Sequence, residues 1–201
     1  MTRYGIMNSD PSWYKARLPY VKRYIESLRQ QTYKDFQVLL LVDDSIPPEC
    51  LTDLNRLAFD DRMDISKRGA KDPFDEPTLQ IRIDSDDYIA NDFVEKVVKH
   101  AKPGHVLHFV NGYIERNGRF YEKKYAHNMF LALWARESVY QTAHDLMHKR
   151  YETIPIEGDS MWIHVWHETA TTWDKNKDKE LGQEAKPDRK RFAFLDKGLL
   201  N

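Results

Sequence analysis

Apolar runs closed by turn-forming residues alternate, in the first half of the chain, with segments of helical periodicity. Residues 36–42, FQVLLLV, are continuously apolar, end at Asp43 and Asp44 and are stopped by IPPE. That pattern predicts a strand covered on both faces in a parallel sheet. Before it, PYVKRYIESLRQQ spaces Val21, Tyr24, Ile25 and Leu28 as one helical stripe, with Pro19 suited to the first turn. RYGIMN reads as a short first strand, LTDLNRLAF as a second helix, MDI as a short edge strand and SKRGAKDPFDEP as a polar loop leading into the strand LQIRI. Asn91 is the expected cap of a helix with Phe93, Val94, Val97 and Val98 on its apolar face, ending at Pro103-Gly104. Strand, helix, strand, helix, strand, helix predicts a mostly parallel α/β sheet whose ligands bind at the carboxyl ends of the strands.

The second half carries a different pattern. HVLHFVNGYIERNGRFYEKK holds a hairpin signal at Asn117-Gly118. MFLALW, ETIPI and MWIHVWH read as strands, and SVYQTAHDLMHKRY as a helix. From Trp173 the chain turns polar, DKNKDKELGQEAKPDRKR, and then closes on the apolar FAFL. The expected division is a domain over residues 1–172 and a charged extension over 173–201, a surface helix or tail whose apolar end can dock back.

Composition narrows the class. Of 201 residues, 41% are hydrophobic and 31% charged, with a net charge of -1, so neither disorder nor a broadly basic nucleic-acid surface is the default. The single cysteine, Cys50, excludes an internal disulfide and a cysteine metal cluster, and suits a reducing compartment. With no signal-like or membrane-spanning run, the expected location is the cytoplasm.

The chemistry concentrates at LQIRIDSDDYIANDF, where a strand ends in Asp84, Asp86 and Asp87. Three carboxylates so placed need a cation, a hydrogen-bonding ligand or open solvent. An acidic helix-leading turn accounts for them without any ligand. An EF-hand loop does not, because Tyr88 and Ile89 stand where it needs an oxygen ligand and a glycine. The remaining alternative is a divalent ion held by one or two carboxylates that keeps positions open for phosphate oxygens. Arg82, Lys67 and Arg68 are candidate phosphate partners, since guanidinium forks match phosphate oxygens.

Three segments resemble a known family. SLRQQTYKDFQVLLLVDD is similar to the opening of family-2-type glycosyltransferases of the GT-A fold, and RIDSDDYIANDFVEKV resembles their DxD segment. MWIHVWHETATT resembles the C-terminal segment of a rhamnosyltransferase group. The resemblance implies a nucleotide-sugar-binding GT-A fold, a UDP- or dTDP-sugar donor, a Mn²⁺ or Mg²⁺ ion and an acceptor hydroxyl on a glycan, a lipid-linked saccharide, a protein or a nucleobase. It implies that Asp84 and Asp44 meet the nucleoside of the donor, that Asp86 and His167 bind the metal, and that Asp145 is the general base of an inverting transfer. His164 is the competitor of His167, expected to point the other way because their spacing of three is odd along an extended chain. Asp159, in the loop PIEGDSMW, is the alternative base. Two other functions use the same carboxylates: a metal-dependent phosphohydrolase and an inactive nucleotide-sugar-binding module.

Overall fold

The computed structural model describes residues 1–5, 10–58, 60–67, 69–168 and 181–196. Strands β1 (Thr2–Tyr4), β2 (Val38–Val42) and β3 (Met63–Ser66) form a parallel sheet in the order β1-β2-β3, with helices α1 (Pro11–Arg29) and α2 (Pro48–Leu57) as the crossovers. This is the architecture that the apolar run at residues 36–42 predicts.

The rest of the sheet structure is mixed, and the expectation of a mostly parallel sheet is corrected. Strands β4 (Thr78–Arg82), β6 (His105–Phe109), β9 (Leu131–Ala135) and β10 (Glu152–Ile156) form a second sheet in the order β10-β6-β9-β4, in which β10 and β6 alone are parallel. Strands β5 (Tyr88–Ile89), β7 (Asn111–Arg116), β8 (Arg119–Lys124), β11 (Trp162–Trp166) and β12 (Glu184–Ala185) form a third, ordered β12-β8-β7-β11-β5, parallel at β11-β7 alone. At β7-β8 the physical reason is loop length. Asn117 and Gly118, both at positive φ (53° and 73°), close β7 on β8 in two residues, and a connection that short permits antiparallel pairing alone.

The sheets are stitched together by the backbone. Ile83 N–H donates to the Met1 carbonyl at 3.3 Å and the Met1 nitrogen donates to Ile81 O at 2.7 Å, tying β1 to β4. Strands β6 and β7 are separated by Val110 alone, whose N–H reaches Ile156 O, so one bent strand passes from the second sheet into the third. Helix α3 (Phe93–His100) follows β5 and buries Phe93, Val94 and Val97.

Local signals were displaced at three points. Helix α1 starts at Pro11, with Asp10 accepting Ser12 N–H at 2.8 Å as its cap, so Pro19 lies inside the helix rather than in its first turn. Asp92, not Asn91, stands at the N-cap position of α3, without a side-chain cap hydrogen bond, and Asn91 is engaged by the C-terminal segment: its side chain donates to Lys190 O at 3.0 Å and its N–H to Arg191 O. The helix expected around SVYQTAHDLMHKRY is reduced to a 3₁₀ turn at His144–Lys149. Val139, Tyr140 and Met147 there are buried and lie at i+7 and i+8 spacing, but no residue between Tyr140 and Met147 is buried and Leu146 is exposed, so no continuous apolar stripe supports a longer helix.

The segment 181–196 packs against this frame. Phe192 and Phe194 are fully buried, edge-on to Tyr113 and Tyr88, and β12 extends the third sheet beyond β8.

Candidate active site

The turn after β4 is built by its own backbone: Asp87 N–H donates to the Asp84 carbonyl at 3.1 Å, turning the chain into β5. Strand β5 pairs antiparallel with β11, Tyr88 opposite Ile163 and Ile89 opposite Trp162. Continuing that antiparallel course lays His164 to His167 back along Asp87 and Asp86. Trp162 fixes the register. Its indole N–H donates to Phe109 O at 2.6 Å, its ring stacks on Phe130 with centroids 4.8 Å apart, and a Cβ at residue 112 would fall 2.1 Å from that ring, so only glycine fits there.

The carboxylates are thereby paired one by one. Asp87, completely buried, accepts Val165 N–H at 2.9 Å and bonds to Nδ1 of His164 at 3.0 and 3.2 Å. Asp86 bonds through Oδ2 to Nε2 of His167 at 2.8 Å and to Nη2 of Arg17 at 2.5 Å. Tyr20 stacks on His167 with centroids 4.2 Å apart, and the Arg17 guanidinium lies over Trp13 at 4.6 Å, so α1 closes one side of the turn. Behind it, Arg23 donates to buried Glu115 at 3.1 Å.

Electrostatics differ sharply between the neighbours. Burial pushes the Asp86 carboxyl up, yet the His167 hydrogen bond and the Arg17 charge overcome it and hold Asp86 below the usual carboxylate range. At Asp87 burial wins over His164, and the carboxyl rises to about 6. Burial alone would lower His164, but the Asp87 charge and hydrogen bond raise it above its ordinary value. A cation among the acids is therefore present in the chain itself, as Arg17.

A second group lies beside this one. Arg82 is buried with its Nε unpartnered, and its guanidinium lies 4.8 Å from the Tyr140 ring centroid, which Arg3 also covers at 4.5 Å. Asp84 is half-buried and close enough to Tyr140, His144 and His164 to shift all three. Burial lowers His144, with the Arg82 charge acting in the same direction.

The remaining sequence candidates sit elsewhere. Asp44 is exposed at the end of β2, with Lys67 at 3.1 Å. Arg68 lies outside the described residues. Asp145 is exposed on the 3₁₀ turn, one residue from His144. Asp159 is exposed and held by Lys96 of α3 at 2.8 Å and by Arg191 at 2.6 Å. Its carboxyl is lowered, first by the Lys96 hydrogen bond.

The structure brings Asp86 and His167 together, and also His164 with Asp87, so both histidines meet the acidic turn. Strand β11 ends at Trp166, and His167, beyond it, is freed from alternation. Arg17 was missed, although its place in the apolar stripe of α1, with Tyr14, Val21 and Tyr24, is a signal: an arginine on a buried face needs an acid. Among the described residues no three His, Cys, Asp and Glu side chains that could hold a metal ion surround a common point, and Asp86 Oδ2, which meets His167 Nε2, is shared with Arg17. Two donors, one carboxylate oxygen and one imidazole nitrogen, fit a divalent ion whose other positions go to substrate oxygens and water.

A family model described as "Putative rhamnosyl transferase" matches residues 6–178. The chain belongs to this family. No curated protein matches it. In this rhamnosyltransferase-family chain the matched span contains the whole acidic turn, β11 and the 3₁₀ turn, and no described helix is long and apolar enough to cross a membrane.

Proposed function

We propose that the chain transfers a sugar, of rhamnosyl type, from a UDP- or dTDP-sugar to an acceptor hydroxyl on a glycan or similar molecule, with inversion at the anomeric carbon. The observation that carries this reading is the convergence of Asp86 and His167 at the end of β4, within the matched family span. Asp84, half-buried in the same turn, contacts the nucleoside of the donor, and Asp44 at the end of β2 is its second contact. Arg82, buried beside Asp84 with an unpartnered Nε, supplies a donor to a phosphate oxygen, the pairing to which a guanidinium is best suited. Asp86 and His167 would hold Mn²⁺ or Mg²⁺, which when bound neutralises charge on the departing diphosphate. The chain's own contribution is to hold the donor's two ends between the β2 end and the β4 turn, and to exclude water from the buried carboxylates.

A thermal-shift titration tests this. dTDP-rhamnose or a UDP-sugar should raise the melting temperature more with Mn²⁺ than without it, because a ligand that binds the native state alone stabilises it by mass action. Asp86→Asn should remove the metal-dependent part. Equal shifts from free phosphate and from the nucleotide sugars, with phosphate release and no sugar transfer, would favour a phosphohydrolase instead.

A further inference from the structure

We infer that His164 is the general base of the transfer, with Asp87 as the positioning residue that orients it; the assignment rests on the glycosyl-transfer reading. His164 stands on β11 in register with apolar Ile114 of β7. Its Nδ1 is fixed by the Asp87 carboxylate at 3.0 and 3.2 Å, and that carboxylate is itself fixed by Val165 N–H at 2.9 Å. The carboxylate accepts from Nδ1–H, which leaves the Nε2 lone pair without a protein partner among the described residues, on a side chain that remains 18% exposed. A buried acid that holds one imidazole nitrogen and leaves the other to the substrate is the arrangement that fixes the tautomer of a catalytic histidine.

The neighbourhood supports the same role. Asp84, Asp86 and Asp87 act on His164 from the turn, all favouring its protonated form, while His144 faces it from the 3₁₀ turn and is itself lowered. Trp166 lies edge-on at 6.3 Å. The imidazole therefore takes up a proton in a place where the resulting cation is stabilised. In the step, Nε2 removes the acceptor's hydroxyl proton and that oxygen forms a bond to the anomeric carbon. The bond from this carbon to the diphosphate oxygen breaks, its electron pair leaves on the diphosphate, and the proton stays on the imidazolium. Asp159, bound by two cations, and Asp145, exposed and without a hydrogen bond to another described side chain, lack this orientation.

The experiment uses the full chain, dTDP-rhamnose as donor and water as the acceptor, reading dTDP release, with donor affinity measured separately by calorimetry. His164→Gln should slow release about 100-fold or more while donor affinity stays within about threefold. Release by the parent should fall as pH drops through the histidine range, from about pH 8 to 5, and that limb should vanish in the variant. Imidazole should rescue His164→Gly, and Asp87→Asn should displace the limb to lower pH, an effect that a merely structural role would not produce. If His164→Gln releases dTDP within about threefold of the parent, the base assignment falls while the transfer reading stands. If the parent binds no nucleotide sugar, the transfer reading fails and the base with it. Should His164→Gln fail to fold, a parent profile that is flat across that pH range overturns the proposal, and a falling limb supports it.

Discussion

Two regions of the molecule each bury a titratable side chain, Asp86 in one and His108 in the other, and treat it in opposite ways. In the acidic turn, Asp86 and Asp87 are buried with their counter-charges, Arg17, His164 and His167, within hydrogen-bond reach. In the histidine group, His108 of β6 is fully buried, edge-on to His127 at 5.8 Å, and His127 stacks on His148 at 4.4 Å, with no acid among them. Neither ring nitrogen of His108 makes a well-formed hydrogen bond, although the Asn128 carbonyl lies close enough to pull its pKa upward. Burial, then the neighbouring histidines, lowers His108 to about 4. Burial alone thus says little about what a titratable group does. Partners decide whether it is kept charged for chemistry or kept neutral for packing.

The largest expected effect comes from removing a partner on the paired side. Arg17→Met removes the guanidinium that lies over Trp13 and leaves Asp86 with His167 alone, and breaking a buried pair from one end costs about 3–5 kcal/mol. A urea midpoint should show that loss. If Asp86 holds the proposed ion, adding Mn²⁺ should recover part of it. The double variant with Asp86→Asn should be more stable than Arg17→Met alone. A single variant as stable as the parent would mean that the ion pair does not exist in solution.

On the neutral side the expected effect depends on pH. His108 has a folded pKa near 4, below its ordinary 6.5, so the unfolded chain binds a proton first as pH falls. Its contribution is complete above 6.5 and is lost as pH drops toward 4, on the order of 3 kcal/mol over the window by linkage. His108→Phe, of similar shape and unable to titrate, should flatten the fall in the urea midpoint between about pH 7 and pH 4. An unchanged slope would place the acid sensitivity in other groups.

What could be read in advance follows from how local each signal is. The parallel β2, the hairpin at Asn117-Gly118 and the strand entering the acidic turn are local patterns, and all appear. Sheet membership is not local. LQIRI reads as a strand in isolation, but nothing in it says that its partner is β9, antiparallel, rather than β1. The carboxylates of the site could be picked out because acids ending an apolar strand are conspicuous. Arg17 and the Asp87–His164 pair are joined across 69 and 77 positions by the fold, and each looks ordinary alone.

The smallest effect sharpens the comparison by varying exposure alone. Asp159, like Asp86, is bound by two basic groups, Lys96 at 2.8 Å and Arg191 at 2.6 Å, but its side chain is 55% exposed where that of Asp86 is 11%. Water and salt screen such a pair, so two contacts of good geometry are worth roughly 0–1 kcal/mol. Asp159 joins the loop before β11 to α3 and to the segment 181–196, and Arg191 keeps Asp92 as a second acid at 3.2 Å when Asp159 is removed. Asp159→Asn should therefore lower the urea midpoint by no more than that amount, with the loss shrinking as sodium chloride rises. It should leave dTDP release from dTDP-rhamnose within about twofold of the parent, because the carboxylate is held by Lys96 and Arg191. A loss of release comparable to that of His164→Gln, with folding intact, would return the base to the loop before β11 and remove His164 from the reaction.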